Sequence, residues 1–183
     1  MFLRTDTHWT PAGANAAAQE IGRQLAAQGL AGSGTAAYKT TLAEATTYKG
    51  DLLNYLPLDP YFASMLPPGD PLAVPSTETV ADAASLLSDS TPMVALVGTS
   101  YSANERWNFA GALQEALHED VVNHAQEGKG PFVVMLDYLA ELKAAEATPA
   151  EDAEPAPRVV IWEIPERYFP VTYDYSAYKA WLP

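Results

Sequence analysis

Met93-Val-Ala-Leu-Val97 is a run of five consecutive apolar residues between Pro92 and Gly98, and it is the strongest indication of the fold class. Strands that are buried on both faces have this composition, and such strands belong to parallel sheets covered by helices. A helical pattern follows the stretch, with apolar residues recurring on one face at Trp107, Ala110, Leu113 and Leu117. A buried strand followed by a helix predicts an α/β domain.

Strands and helices continue to alternate on both sides of this stretch. Thr10-Pro11 predicts a helix start, and Gly29 an end, for a helix from about residue 11 to 29. Further along, a short strand is predicted at Val121-Val122, a helix over Phe132 to Leu139, and a last buried strand from Val159 to Ile164. This order predicts one three-layer α/β/α sandwich with a mainly parallel sheet, spanning residues 1–183.

Two segments are predicted to be surface loops. Six prolines fall within residues 57–76, where they exclude regular helix and predict an excursion or lid. Acids and prolines without a basic residue make 146–157 a solvated loop rather than a functional acidic tract. Residues 36–48 stay ambiguous between extended and other structure, and 50–56 predict a short helical turn.

Composition excludes several classes of function. The chain has 183 residues, a net charge of −13 and no cysteine. The charge repels nucleic acid and anionic membranes, and the lack of cysteine removes disulfides, thiolate metal sites and a cysteine nucleophile. No apolar run is long enough to cross a bilayer, and Met1-Phe-Leu-Arg4 does not have the pattern of a signal peptide. We expect neither a metal nor a cofactor.

A serine follows the predicted buried strand in the string Gly98-Thr-Ser-Tyr-Ser102. Reactive groups in parallel sheets collect at the carboxyl ends of strands, and a helix start beside Ser100 can stabilise an oxyanion. Ser100 is therefore a candidate nucleophile, with Ser102 as the alternative. The competing interpretation is a helix cap, which Ser102 or Asn104 can supply.

An acid and a base are close together near the start of the chain, at Asp6 and His8. Two positions apart in non-helical backbone, the carboxylate can orient the imidazole and stabilise its charged form. Serine needs such a base because its free hydroxyl is a poor nucleophile at neutral pH. Alone, the pair is more often an ordinary loop contact. Together with the serine string, it shifts the balance toward a Ser-His-Asp site.

Three strings carry a family resemblance: Thr5-Asp-Thr-His-Trp-Thr-Pro-Ala-Gly13, Gly98-Thr-Ser-Tyr-Ser102 and Trp162-Glu-Ile-Pro-Glu-Arg-Tyr168. From near the first residue to about Phe169, they resemble the alginate O-acetyltransferases of the AlgX and AlgJ type. The resemblance implies a circularly permuted SGNH hydrolase-like fold, with Ser100 as nucleophile, His8 as base and Asp6 as orienting acid. It also implies strands before Asp6, so we expect a domain truncated at its N-terminus.

The resemblance implies an oxyanion hole and a substrate surface as well. Gly128 or Gly130 is the candidate glycine donor, while the asparagine of the wider SGNH class is missing after the last strand. Arg167 or a backbone amide is expected to replace it. Lys129 is a candidate contact for a carboxylated sugar, although an ordinary exposed lysine is the commoner case. Two aromatic residues beside the motifs, Trp9 and Tyr101, are candidate substrate contacts.

The expected activity is acetyl transfer through an acyl-serine onto hydroxyls of a bacterial exopolysaccharide such as alginate, in the periplasm. The expected partners are that glycan, an acetyl donor of unknown identity and a protein of the biosynthetic complex. Two alternatives remain open, namely an acetylesterase in which water is the acceptor and an inactive glycan-binding or scaffold domain. The net charge of −13 argues against a long groove for a polyanion.

Overall fold

The computed structural model describes residues 1–32, 34–58, 60–80, 93–147 and 156–179. Its helices and strands are α1 (Pro11–Ala27), β1 (Tyr38–Leu42), β2 (Thr46–Tyr48), β3 (Asp70–Leu72), β4 (Pro75–Thr79), β5 (Val94–Val97), α2 (Ser100–Ala103), α3 (Phe109–Leu117), β6 (Val121–Asn123), α4 (Pro131–Ala147) and β7 (Val159–Trp162). Short 3-10 helices occupy Asp51–Tyr55, Ala63–Met65, Glu105–Trp107, Glu166–Tyr168 and Ser176–Tyr178.

The central sheet has the strand order β6-β5-β7, and both neighbours of β5 run parallel to it. Val94 pairs with Val121 on one side and with Val159 on the other. All four residues of β5 are buried. The apolar run between Pro92 and Gly98 is therefore the buried parallel strand that its composition predicts.

Helices cover the two faces of this sheet, because successive strand residues point to opposite sides. Val94 and Leu96 pack into the core shared with α1 and α3, where Leu113 and Leu117 are fully buried. On the other face, Ala95 and Val97 pack against α4. Burying each of these leucines contributes about 1.5–3 kcal/mol to folding. The predicted three-layer α/β/α architecture is confirmed.

Helix α1 begins and ends where its sequence signals place it. The Thr10 side chain caps the first turn by accepting from Gly13 N, and the helix ends one residue before the Gln28 cap. Gly22 lets α1 approach α3 closely, since a Cβ there would lie 3.0 Å from Ala116 O. No helix within the described ranges is both long enough and apolar enough to cross a membrane.

The structure differs from the sequence prediction over residues 57–76. This segment contains β3 and the start of β4, which pair antiparallel with β2 and β1 in two small sheets. Prolines 71 and 75 are tolerated there because each strand of a two-stranded sheet has one edge without a partner strand, and proline, which has no backbone N–H, needs no partner on that edge. Asp70 and Leu72 are buried, so part of this predicted surface loop is packed structure. Of the second predicted loop, 146–147 end α4 and 148–155 lie outside the described residues.

Strand β7 is shorter and less buried than predicted. It ends at Trp162, and Val160 and Trp162 are 40% and 38% exposed. Val159 and Ile161 pack into the core on the α1 and α3 side, whereas α4 covers β5 and leaves the other face of β7 partly open. The alternating pattern follows because α4 covers this second face only in part, through Pro131 and Phe132, which contact Trp162.

Candidate active site

The acid and the base lie on a tight loop at the start of the chain. Phe2 bridges to Trp9 in antiparallel fashion, and Leu3 N donates to His8 O at 3.1 Å. This turn brings Asp6 and His8 to one side: Asp6 Oδ1 accepts from His8 N at 2.9 Å and lies 2.6 Å from His8 Nδ1. Because a carboxylate only accepts, Nδ1 carries the proton and Nε2 of a neutral imidazole is left as an acceptor.

The second oxygen of Asp6 is held by residues that the sequence analysis missed. Tyr48 Oη donates to Asp6 Oδ2 at 2.8 Å, and Asp51 N donates to the same oxygen at 3.0 Å. Burial alone would raise the pKa of Asp6, but the hydrogen bonds from His8, Tyr48 and Asp51 outweigh it and lower that pKa. Burial, followed by the bond to Asp6, raises the pKa of Tyr48 to about 12. Asp6 is therefore an ionised acceptor at neutral pH.

The imidazole reaches the serine string from the opposite side. His8 Nε2 lies 2.7 Å from Ser100 Oγ. Ser100 is the first residue of α2, whose N-cap Thr99 accepts from Tyr101 N through its side chain. Asn104 is a cap as predicted, but of the following 3-10 helix, where its side chain accepts from Arg106 N. The amide of Ser100 has no acceptor inside the helix, as is general for the first residue. Asp6, His8 and Ser100 thus form one hydrogen-bonded row.

Aromatic rings hold the imidazole in place. Trp107 stacks on His8 at 5.3 Å between ring centroids, and Tyr101 is tilted against it at 4.8 Å. Trp9 donates from Nε1 to Tyr101 O at 3.0 Å and packs on Phe109. Trp9 therefore joins the two motifs, while its predicted sugar contact remains a proposal.

The guanidinium of Arg167 contacts this row through Tyr101. Arg167 Nη1 donates to Tyr101 Oη at 3.2 Å, and its guanidinium lies 5.2 Å from the ring centroids of Tyr101 and Tyr168. Tyr101 Oη in turn donates to Thr7 O, next to His8. Two of the predicted substrate residues, Arg167 and Tyr101, are thus in contact with each other beside the imidazole.

The glycine and lysine candidates are placed differently. Gly128 and Gly130 have left-handed φ angles of +79° and +76°, which glycine tolerates best. Lys129 pairs with Asp137 on α4 at 3.1 Å instead of standing free. Within the described part of the chain, no hydrogen bond links these three residues to the Asp-His-Ser row, so their roles as oxyanion donors or sugar contacts remain predictions.

Among the described residues, a cluster of two carboxylates and an imidazole has ligand atoms close enough for a metal ion. Asp6, His8 and Asp51 offer atoms within 4.8 Å of one another. Each of these atoms already has a hydrogen-bond partner: Asp51 accepts from Thr7 N and Oγ1, while Asp6 and His8 belong to the row. The cluster is a hydrogen-bonded network, which supports orientation of the imidazole rather than ligation.

Together, a parallel three-layer α/β fold and a Ser-His-Asp row at the carboxyl end of the central strand define the class of serine hydrolase-like domains. In chain order, the Asp-x-His loop precedes the serine. Residues 1–166 match the family described as SGNH hydrolase-like domain, acetyltransferase AlgX, and the chain belongs to this family.

Similar proteins extend this assignment. The chain is 49% identical over 178 residues to a probable alginate O-acetylase AlgJ of Pseudomonas syringae pv. tomato, covering 95% of this chain and 44% of that protein. It is 45% identical over 188 residues to the corresponding AlgJ of Azotobacter vinelandii, covering 100% and 46%. The chain therefore spans less than half the length of these relatives.

Solved structures agree with the sequence relatives. The O-acetyltransferase domain of Pseudomonas putida AlgJ superposes with a TM-score of 0.81 at 46% identity, covering 96% of this chain and 56% of that chain. Pseudomonas aeruginosa AlgX superposes with a TM-score of 0.67 at 26% identity, covering 89% and 36%. The SGNH-like fold predicted from the sequence is confirmed.

Proposed function

We propose that this chain is an O-acetyltransferase that moves acetyl groups through an acyl-serine onto hydroxyls of alginate or a similar exopolysaccharide. One observation carries the proposal: His8 Nε2 lies 2.7 Å from Ser100 Oγ, while Nδ1 lies 2.6 Å from Asp6. Family membership and similarity to alginate O-acetylases support the acetyl group and the glycan acceptor.

In the first half of the reaction, Ser100 Oγ attacks the acetyl carbonyl of the donor while His8 Nε2 takes its proton. The ionised Asp6 stabilises the resulting imidazolium. His8 then passes the proton to the donor's leaving group, which departs and leaves an acetyl ester on Ser100. The amide of Ser100, at the start of α2, is a donor for the oxyanion, and Gly128 or Gly130 is a candidate for a further one.

In the second half, a sugar hydroxyl loses its proton to His8 and attacks the acetyl-serine. The acetyl group passes to the sugar oxygen, and the proton returns from His8 to Ser100 Oγ. Arg167 contacts Tyr101, whose ring packs against the imidazole, and we assign Arg167 the carboxylate of the sugar acceptor. Lys129 is a weaker candidate because Asp137 already neutralises it.

The proposed setting is the bacterial periplasm, with a biosynthetic protein complex presenting the polysaccharide. The relatives named alginate O-acetylase and alginate biosynthesis protein support the polysaccharide and the biosynthetic complex. The proposed acetyl donor is any activated acetyl ester or thioester that reaches Ser100, since the chemistry needs only a good leaving group.

Hydrolysis of a small activated acetyl ester tests the proposal. Ser100→Ala and His8→Ala should each abolish it, and the double variant should be little worse than either single one, because such residues act as a unit. Ser102→Ala is the matched variant, and its rate should fall by less than about tenfold. Full activity in Ser100→Ala with loss in Ser102→Ala would move the nucleophile to Ser102, and activity in both would end the serine mechanism.

A further inference from the structure

A carboxylate from the neighbouring strand lies against the serine turn, by which we mean residues 98–102. Glu163 follows β7, and its backbone N donates to Val97 O at 2.8 Å, which extends the parallel pairing with β5. This pairing fixes where the side chain starts. The carboxylate then reaches across the sheet edge to the turn that carries Ser100.

Three donors of the serine turn converge on one oxygen of this carboxylate. Glu163 Oε2 accepts from Thr99 N at 2.7 Å, from Thr99 Oγ1 at 2.9 Å and from Ser102 Oγ at 3.1 Å. The donors flank Ser100, since one residue precedes it and the other follows by two. The carboxylate therefore contacts both sides of Ser100 without contacting Ser100 itself.

The turn is shaped to admit this side chain. A Cβ on Gly98 would lie 2.6 Å from Glu163 Oε2 and 2.9 Å from Ser102 Oγ, so only glycine fits. Asn123 braces the far side by donating from Nδ2 to Ser102 O at 2.9 Å. Residues from β6 and from the end of β7 thus both hold the serine turn at the end of β5.

We propose that Glu163 is a positioning residue for the reaction proposed above, holding the serine turn so that Ser100 Oγ stays within hydrogen-bond reach of His8 Nε2. The inference rests on the proposed function. Glu163 touches neither the reacting atoms nor His8 in this arrangement, and it acts through the Thr99 amide and the Ser102 hydroxyl.

A partly buried carboxylate that holds a turn lowers the free energy of unfolding, so a functional role explains Glu163 better than a structural one. Burial raises the pKa of Glu163 despite the hydrogen bonds from Thr99 and Ser102 and the nearby charge of Arg167. Its ionised form therefore opposes folding. Features that oppose folding concentrate at functional sites.

Steady-state kinetics on a small activated acetyl ester test the role. Glu163→Ala should lower kcat by about 10 to 100-fold with KM changed by less than about threefold, because the nucleophile is misplaced while the ester still binds. The kcat of Glu163→Gln should be at least about fivefold higher than that of Glu163→Ala, since the glutamine amide oxygen still accepts from Thr99 N. Glu166→Ala and Glu166→Gln remove the same charge from the exposed 3-10 helix that follows. Their kcat and KM should match those of the unmodified chain.

A kcat for Glu163→Ala within about twofold of that for Glu166→Ala would overturn the positioning role. A merely structural role would lower the unfolding midpoint and the active fraction without lowering kcat per folded molecule. Glu163→Gln is expected to unfold at or above the midpoint of the unmodified chain, because it removes a partly buried charge.

Amide hydrogen exchange at Thr99 tests the contact without reference to activity. Glu163→Ala should speed Thr99 exchange by at least about tenfold, and Glu166→Ala should leave it unchanged. Unchanged exchange in Glu163→Ala would overturn the inference even in an active enzyme. Labelling of Ser100 by a fluorophosphonate distinguishes failure of the proposed function from failure of the positioning role alone. If the unmodified chain is inactive and is not labelled, the proposed function is overturned, and the positioning role with it, whatever the exchange rate of the Thr99 amide.

Discussion

Replacing Asp6 by asparagine tests the hydrogen-bonded row most sharply, because the change keeps the shape and removes the charge. The carboxylate accepts four hydrogen bonds: two from His8, one from Tyr48 Oη and one from Asp51 N. An asparagine offers a single oxygen, and its amide nitrogen must face one of the two pairs of donors.

Both orientations of the new side chain lose a backbone partner. With nitrogen toward Tyr48, the Asp51 amide has no acceptor. With nitrogen toward His8, the His8 amide has none, and Nδ1 must accept, so Nε2 carries the proton and no longer serves as a base. A partly buried unpaired amide costs about 1–2 kcal/mol, which lowers the unfolding midpoint by roughly 2–8 °C for a chain of this size.

The activity should fall further than the stability. The first orientation removes the charge that stabilises the imidazolium, and the second fixes the wrong tautomer, so kcat on an activated acetyl ester should drop by about 10² to 10⁴-fold. Thermal unfolding and steady-state kinetics measure the two effects, with Glu20→Gln on the exposed face of α1 as the charge-matched control. Activity within about threefold of the unmodified chain would refute the role of Asp6.

Three further predictions concern stability and binding. Burial would raise the pKa of Asp70, but hydrogen bonds from Thr5 and Arg4 lower that pKa from 3.8 to about 2. The contribution of Asp70 to the free energy of unfolding is therefore present above about pH 4 and lost as the pH falls toward 2. Asp70→Asn should flatten this part of a curve of unfolding free energy against pH. Leu113→Ala should cost about 2–5 kcal/mol in urea unfolding, because the side chain is fully buried, and a loss below about 1 kcal/mol would contradict the core assignment. Titration with polymannuronate of increasing length in physiological salt should show weak binding that hardly grows with length, because the chain carries −13 and Lys129 is already paired; a steep rise would contradict this.

The central features of the fold were predictable because they follow local patterns. An apolar run between Pro92 and Gly98 gives β5, and Thr10-Pro11 gives the start of α1. The row of Asp6, His8 and Ser100 could be expected because local motifs offer these residue types near a strand end, and because the resemblance to alginate O-acetyltransferases assigns their roles.

The supporting residues could not be predicted, because they depend on contacts between distant segments. Tyr48 and Asp51 reach Asp6 from a threonine-rich strand and a 3-10 helix whose sequences carry no apolar period. Asp70 holds Thr5 across 65 positions of sequence, from within a proline-rich stretch that resembles a loop. Glu163 falls near the end of the predicted last strand, where nothing local distinguishes it from an ordinary polar residue. Only the pairing of β7 with β5 brings it to the serine turn.

Detection of the acyl-enzyme tests the central claim most directly. The chain is incubated with an activated acetyl ester, quenched with acid, digested and examined by mass spectrometry, alongside Ser100→Ala and His8→Ala. We expect one acetyl group on Ser100, absent from both variants and lost when mannuronate oligomers are added, with the acetyl group appearing on the oligomer. Acetyl on Ser102, or turnover without an acetyl on Ser100, would contradict it.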